Sequence, residues 1–169
     1  RILARRQPAA SDLRLIIGIS KSVIDLERIG DEATKIAKRT LQLSEDGAAP
    51  RGYDEIRHIG AQVRRMVQEA LDAFARFDVD LALAVSQYDK TIDREYKSAL
   101  RELVTYMMED PRSISRVLSV IWVLRSLERI GDHARNIAEL VVYMVHGTDV
   151  RHKSLLPSKS ADEPADTPE

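Results

Sequence analysis

A chain of 169 residues can bury a sizeable core as one ordinary domain or two small bundles. Its 26 Lys and Arg nearly balance its 27 Asp and Glu, which excludes a global basic field of the kind that draws nucleic acid and the acidic excess of a disordered tail protein. With no cysteine, disulfides and thiolate metal sites are excluded too, and the reducing cytoplasm is the default compartment.

Ala, Leu, Ile, Val, Arg and Glu abound, aromatics and glycines are few, and no period-two run of β-branched residues is bounded by turns, so an all-α fold is expected. The opening "RILARRQP" reads as the last turn of a helix cut off upstream, which makes a fragment the expectation. Pro8 marks a stop and Ser11 and Asp12 are N-cap candidates. Leu15, Ile19, Val23, Leu26, Ile29, Ala33 and Ile36 then recur at helical spacing and predict a first helix from about Asp12 to Leu43. Gly, Pro and Asp gather in "SEDGAAPRG", Ser44 to Gly52, which must be a loop. Ile56, Ile59, Val63, Val67, Ala70, Leu71 and Phe74 stripe a second helix over about Tyr53 to Phe77. Asp78 can cap a third, Val79 to Glu109, carrying Leu83, Val85, Ile92, Tyr96, Leu100, Leu103 and Met107. In "EDPRS", Pro111 punctuates and Ser113 can cap a fourth helix that runs to about His146 and ends at Gly147. Beyond it, "PSKSADEPADTPE" has three prolines and no apolar period, so residues 148–169 are expected to be a disordered tail. The longest apolar stretches, such as Val117 to Leu124, stop far short of the roughly 20 residues that a membrane span needs.

The block Leu-Glu-Arg-Ile-Gly-Asp occurs twice, in "DLERIGDEATKIAK" from Asp25 and in "SLERIGDHARNIAE" from Ser126. Pro8 and Pro111 precede the two blocks at similar distances, so the first and fourth helices are expected to be repeats, each one helix of an equivalent small bundle.

Residues four apart share a helix face, with Cβ atoms roughly 5–6 Å apart, and Glu27 with Asp31 and Glu128 with Asp132 are such pairs. The stripe through Val123, Leu127, Ile130, Ala134, Ile137 and Val141 puts Glu128 and Asp132 on its flank, beside Val117, Ile121 and Leu124. Like charges so placed repel by a few tenths of a kcal/mol when exposed and more when partly buried, so something should offset them. Arg28 and Arg129 point about 100° away, and Arg125 is present in one copy only. A shared cation is the alternative, and hard oxygen ligands suit Mg, Mn, Ca and iron and also reach zinc. Gly30 and Gly131, each costing around 1 kcal/mol relative to Ala in mid-helix, leave bare backbone between the carboxylates, as room for a metal cluster or a close neighbour. In the third helix Asp89 and Asp93 are again four apart. An antiparallel turn at "EDPRS" brings all four acids to similar heights.

"LERIGDEATKIA" and "LERIGDHARNIAE", with "DKTIDREY" and "AFARFDVDLA", resemble the PhoU family, accessory regulators of high-affinity phosphate uptake, over nearly everything from Arg1 to about His152. The resemblance implies two pseudo-symmetric three-helix bundles. Here residues 1–47 would be a remnant of the first, the end of its second helix and its third, and residues 48–147 the second. It implies multinuclear iron or zinc clusters on the dyads, with Mg or Mn as alternatives. Asp89, Asp93, Glu128 and Asp132 would form one cluster, followed by Asn136, and Glu27 and Asp31 half of another, weakened because Lys35 stands where the second copy has Asn136. It further implies a cytoplasmic negative regulator without catalysis, an adaptor between the ATPase subunit of the phosphate ABC transporter and a sensor histidine kinase. Such a protein would be a homodimer or higher oligomer, reach the membrane only through partners and bind no nucleic acid.

Other residues point elsewhere. His133, next to Asp132, turns off the carboxylate face and reads as a surface histidine, Glu95 faces away from Asp93, and His58 and His146 show no ligand spacing. Met107, Met108 and Trp122 sit at core spacing and read as packing. "RRQP" and "RHKS" read as solvated basic clusters. A di-metal oxidase would need Glu-x-x-His on two helices, whereas the acids here lie four apart with no histidine on their face. The stronger rival is a metal-free helical scaffold whose acid dyads pair with Arg and Lys. A first helix without bundle mates is further expected to self-associate through Leu26, Ile29 and Ile36.

Overall fold

The computed structural model describes residues 10–147; Pro8, both basic clusters and the expected tail lie outside the described residues. Four long helices follow in order: α1 (Ala10–Asp46), α2 (Tyr53–Arg76), α3 (Val79–Glu109) and, after a 3₁₀ turn (Pro111–Ser113), α4 (Ile114–His146).

Local chemistry sets the boundaries. Asp78 caps α3, its Oδ1 accepting from the Leu81 N–H at 3.0 Å, and Gly147 closes α4 in the left-handed region at φ 69°, its N–H donating to Tyr143 at 2.9 Å. Phe77 ends α2 in the same left-handed region, one residue earlier than the periodicity suggests. Ser113 does not cap α4, because its hydroxyl donates back to the Asp110 carbonyl at 2.7 Å. Ser11 and Asp12 lie inside α1, which is already helical at Ala10, so they are not its caps.

α4 is the hub. α2 and α3 form an antiparallel hairpin against one side of it, and α1 lies along another side and meets no other described helix. Arg51 beside Glu102 and Gln62 beside Glu95 fix the direction of the hairpin, and Asp25 beside His133 with Glu32 beside Arg129 shows α1 antiparallel to α4. Val117, Val120, Val123, Leu124, Leu127, Ile130, Ala134, Ile137, Ala138 and Val141 of α4 are all buried, joined by Ile59, Val63 and Met66 of α2 and Val85, Ile92 and Leu103 of α3. Burying each such aliphatic side chain stabilises by about 1.5–3 kcal/mol, so the hub helix holds the fold together.

The repeat is visible in three dimensions. A shift of 101 residues carries Asp25 onto Ser126 and Glu32 onto His133, and the Asp25–His133 contact has its counterpart in the Ser126 hydroxyl that supports Glu32. α1 and α4 therefore cross about a local pseudo-twofold through the repeated block. Their outer faces differ. Ile19, Val23, Leu26, Ala33, Ala37 and Leu41 of α1 are exposed, whereas their counterparts Val120, Leu124, Leu127, Ala134, Ala138 and Val142 lie in the core. Val23 is 57% exposed and Leu124 fully buried. The single stripe expected on the first helix is thus two faces, since Ile29 and Ile36 turn toward the core and are half-buried. Neither is available for the self-association expected of it. Met108 and Trp122 are also exposed rather than packed, while Met107 is half-buried against the core. No described helix is long and apolar enough to cross a membrane.

Candidate functional site

The acids of α3 and α4 meet where the two helices run antiparallel. Asp89 is buried under α4, Asp93 and Glu128 are partly buried, and Asp132 stands at the rim. Burial pushes the Asp89 carboxyl up from its ordinary range, against the pull of Arg135 and with the charges of Asp132 and Asp93 adding to the rise. Burial also raises Glu128, Asp132 adds to it, and Arg125 opposes it. These are the mutual repulsions that the spacing implies. Arg125 Nη1 donates to Glu128 Oε1 at 2.9 Å and lies equally near Oε2 as an ion pair, while Oε2 itself is buried and accepts no hydrogen bond.

Arginine answers the repulsion. Arg135 Nη1 bonds Asp89, its Nη2 lies 3.2 Å from Asp132, and its Nε lies 3.6 Å from Glu139. Burial works against its charge, but Asp89 and Asp132 outweigh that and raise its pKa. Arg135 escaped the sequence reading, although its place three residues after Asp132 and four before Glu139 is a legible pairing signal. Among the described residues no group of three or more acid, histidine or cysteine side chains is arranged to hold a metal ion.

The first copy of the block is differently placed. Glu27, Gly30 and Asp31 are exposed, and Asp31 faces Arg28 at 3.7 Å. A Cβ on Gly30 would touch nothing within 4 Å, whereas one on Gly131 would meet Asp89 Oδ1 at 3.7 Å, Met66 Sδ at 3.8 Å and Ile92 Cδ1 at 3.9 Å. Gly131 thus lies under a close neighbour, in ordinary van der Waals contact.

Asn136 does not stand behind the acids. Its amide donates to Asp25 Oδ1 at 3.1 Å across the α1–α4 seam, and His133 Nδ1 shares that oxygen at 2.8 Å. His133 turns off the carboxylate face as the spacing implies, yet it is largely buried in the seam rather than on the surface. Glu32, also buried there, is pushed up by burial, but Lys35, Ser126 and Arg129 outweigh this and leave it lowered. On the opposite side, Glu95 turns to Gln62 and His58 of α2, away from the cluster.

Comparison with known proteins decides the family. The PhoU domain matches residues 1–40 and 56–141. The chain belongs to the PhoU family. It is 84% identical over 155 residues to a phosphate-specific transport system accessory protein PhoU homolog of Pseudomonas putida, covering 92% of this chain and 60% of that relative. It is also similar to the crystal structure of PhoU from Pseudomonas aeruginosa, at a TM-score of 0.86 and 82% identity, covering 88% of this chain and 71% of the other. The phosphate transport system regulatory protein PhoU of Streptococcus pneumoniae follows at TM-score 0.77 and 34% identity, with 85% and 67% covered. The chain therefore spans about 60% to 70% of the length of PhoU proteins that it matches. Its all-α build of four long helices agrees with the repeated bundle architecture of PhoU.

Proposed function

We propose that the chain acts in a cytoplasmic negative regulator of phosphate uptake and phosphate-starvation signalling, as a helical interaction scaffold whose acid dyads are balanced by its own arginines. Family membership supports the regulatory, non-enzymatic role in phosphate signalling. The observation that carries the scaffold reading is the engagement of the acids, Asp89 by Arg135, Glu128 by Arg125 and Asp31 by Arg28. The proposed partners are the ATPase subunit of the phosphate transporter and a sensor histidine kinase, through which the protein reaches the membrane. The proposed organisation has α1 as one helix of a first three-helix bundle and α2–α4 as the second, supported by the exposed face of α1 matching the buried face of α4. A homodimer is part of the same proposal.

A second reading, a multinuclear iron or zinc cluster on Asp89, Asp93, Glu128 and Asp132, is favoured by the unbonded, buried Oε2 of Glu128. Melting of chelator-free protein by circular dichroism with and without EDTA separates the two, alongside capture by the ATPase subunit. Unchanged melting and EDTA-insensitive capture are expected. A melting temperature that falls on chelation overturns the scaffold reading.

A further inference from the structure

The acids of α3 and α4 do not fit a metal cluster as this chain holds them, because the most buried of them already has a cation. We propose that Arg135 is the resident counter-cation of the cluster and the residue that sets what the cluster binds: a divalent ion enters only by displacing the guanidinium from Asp89 and Asp132. The proposal deepens the scaffold reading and rests on it.

Three observations carry it. All three guanidinium nitrogens face carboxylates, Asp89, Asp132 and Glu139, the fork geometry in which arginine outperforms a point charge. The Asp89 side chain is only 3% exposed, so water cannot substitute for the guanidinium there, and arginine does not lose its proton in a protein. Thirdly, the repeat supplies an internal control. The position matching Arg135 in the first copy is Thr34, whose hydroxyl donates to the Gly30 carbonyl at 2.9 Å and offers no charge. There the dyad is exposed, and Asp31 has only the solvated Arg28 at 3.7 Å. An arginine at this position accompanies the copy that packs against the buried Asp89 and is missing from the exposed one.

The test uses the 169-residue chain, its Arg135→Met variant and the Asp89→Asn/Arg135→Met double variant, with Mn²⁺ as probe, read by the loss of the free-ion EPR signal and by thermal melting. Arg135→Met is expected to melt lower without metal, to regain stability on Mn²⁺ addition and to bind Mn²⁺ at least about tenfold more tightly than the parent, the scale of coupling between contacting groups. The double variant, with both members of the Asp89–Arg135 pair removed, should melt less low than Arg135→Met and should gain no Mn²⁺ affinity over the parent. Equal Mn²⁺ affinity in parent and Arg135→Met overturns the proposal. If neither binds, the Arg135 assignment fails while the scaffold reading stands; if both bind tightly, both fail. Should Arg135→Met not fold, Arg135→Gln removes the charge while keeping a polar side chain of similar reach, and an Mn²⁺ affinity no higher than the parent's overturns the assignment equally.

Discussion

Replacing Gly131 by alanine tests whether the repeated glycine exists to let helices approach or for some other reason. A methyl added there meets Asp89, Met66 and Ile92 at 3.7–3.9 Å, ordinary contact that requires no neighbour to move. Alanine gains about 1 kcal/mol of helix propensity over glycine, and burying one methyl adds roughly 0.8 kcal/mol. Gly131→Ala should therefore raise unfolding stability by about 1–2 kcal/mol, and Gly30→Ala, at an open helix surface, by about 1 kcal/mol. Urea denaturation with an unchanged slope reads both. A loss of more than about 1 kcal/mol at Gly131 would refute the spacing between α3 and α4 described above. A stable Gly131→Ala protein that fails to capture its partner would locate the purpose of the glycine in binding.

Gly52 behaves oppositely. Its φ of 101° and a Cβ position 2.4 Å from Val120 Cγ1 make Gly52→Ala destabilising by about 2–5 kcal/mol, left-handed strain plus overpacking against a stiff β-branched core residue, measured by the same titration. The two perturbed glutamates should respond to pH with opposite signs. Glu32 is lowered, so its stabilisation is present above its ordinary value of 4.5 and is lost as pH falls through the folded value; Glu32→Gln should be the less stable protein at pH 7, with the gap closing on acidification. Glu128 is raised, so its protonated form is favoured and that stability is lost as pH rises through the folded value. Glu128→Gln should thus equal or exceed the parent at pH 7 and converge with it below 4.5. Melting at a series of pH values checks both, and matching trends would refute the two assignments. Light scattering should show self-association through Ile19, Val23, Leu26 and Leu41, abolished by Val23→Asp with Leu26→Asp; a parent that is monomeric at high concentration sinks this.

Much of the fold was legible because its signals are local. Asp78 before an apolar period gave the start of α3, and Gly147 the end of α4. The convergence of Asp89, Asp93, Glu128 and Asp132 followed from counting rises away from one short turn. What periodicity cannot say is which neighbour covers a face. Periodicity puts Ile29 and Ile36 on one stripe with Val23 and Leu26, because apolar spacing is blind to the difference between a helix with one partner and a helix with two. Side-chain reach is the other blind spot: spacing allows Arg135 to pair with Asp132 and Glu139 but does not show its reach to Asp89 on α3, and His133 and Asn136 serve the seam with α1, where Asp25 lies 108 and 111 residues away in sequence.

The same six-residue block therefore has two electrostatic states, and burial decides between them. Glu27 and Asp31 stand in water, where a pair four apart costs only a few tenths of a kcal/mol and Arg28 at 3.7 Å suffices. If a helical hairpin like α2–α3 covers Val23, Leu26 and Ala33, as their counterparts are covered, that pair loses its hydration while Thr34 supplies no guanidinium. Lys35 is already committed to Glu32 at 2.8 Å. The first copy would then depend on an external cation and the second would not. In a PhoU protein with α1 so covered and these residues at the same positions, Asp31→Asn is expected to abolish Mn²⁺-dependent stabilisation and Asp132→Asn to leave it intact. Thermal melting of both variants with and without Mn²⁺ reads the difference, and the reverse pattern would show that Arg135 is no substitute for a metal.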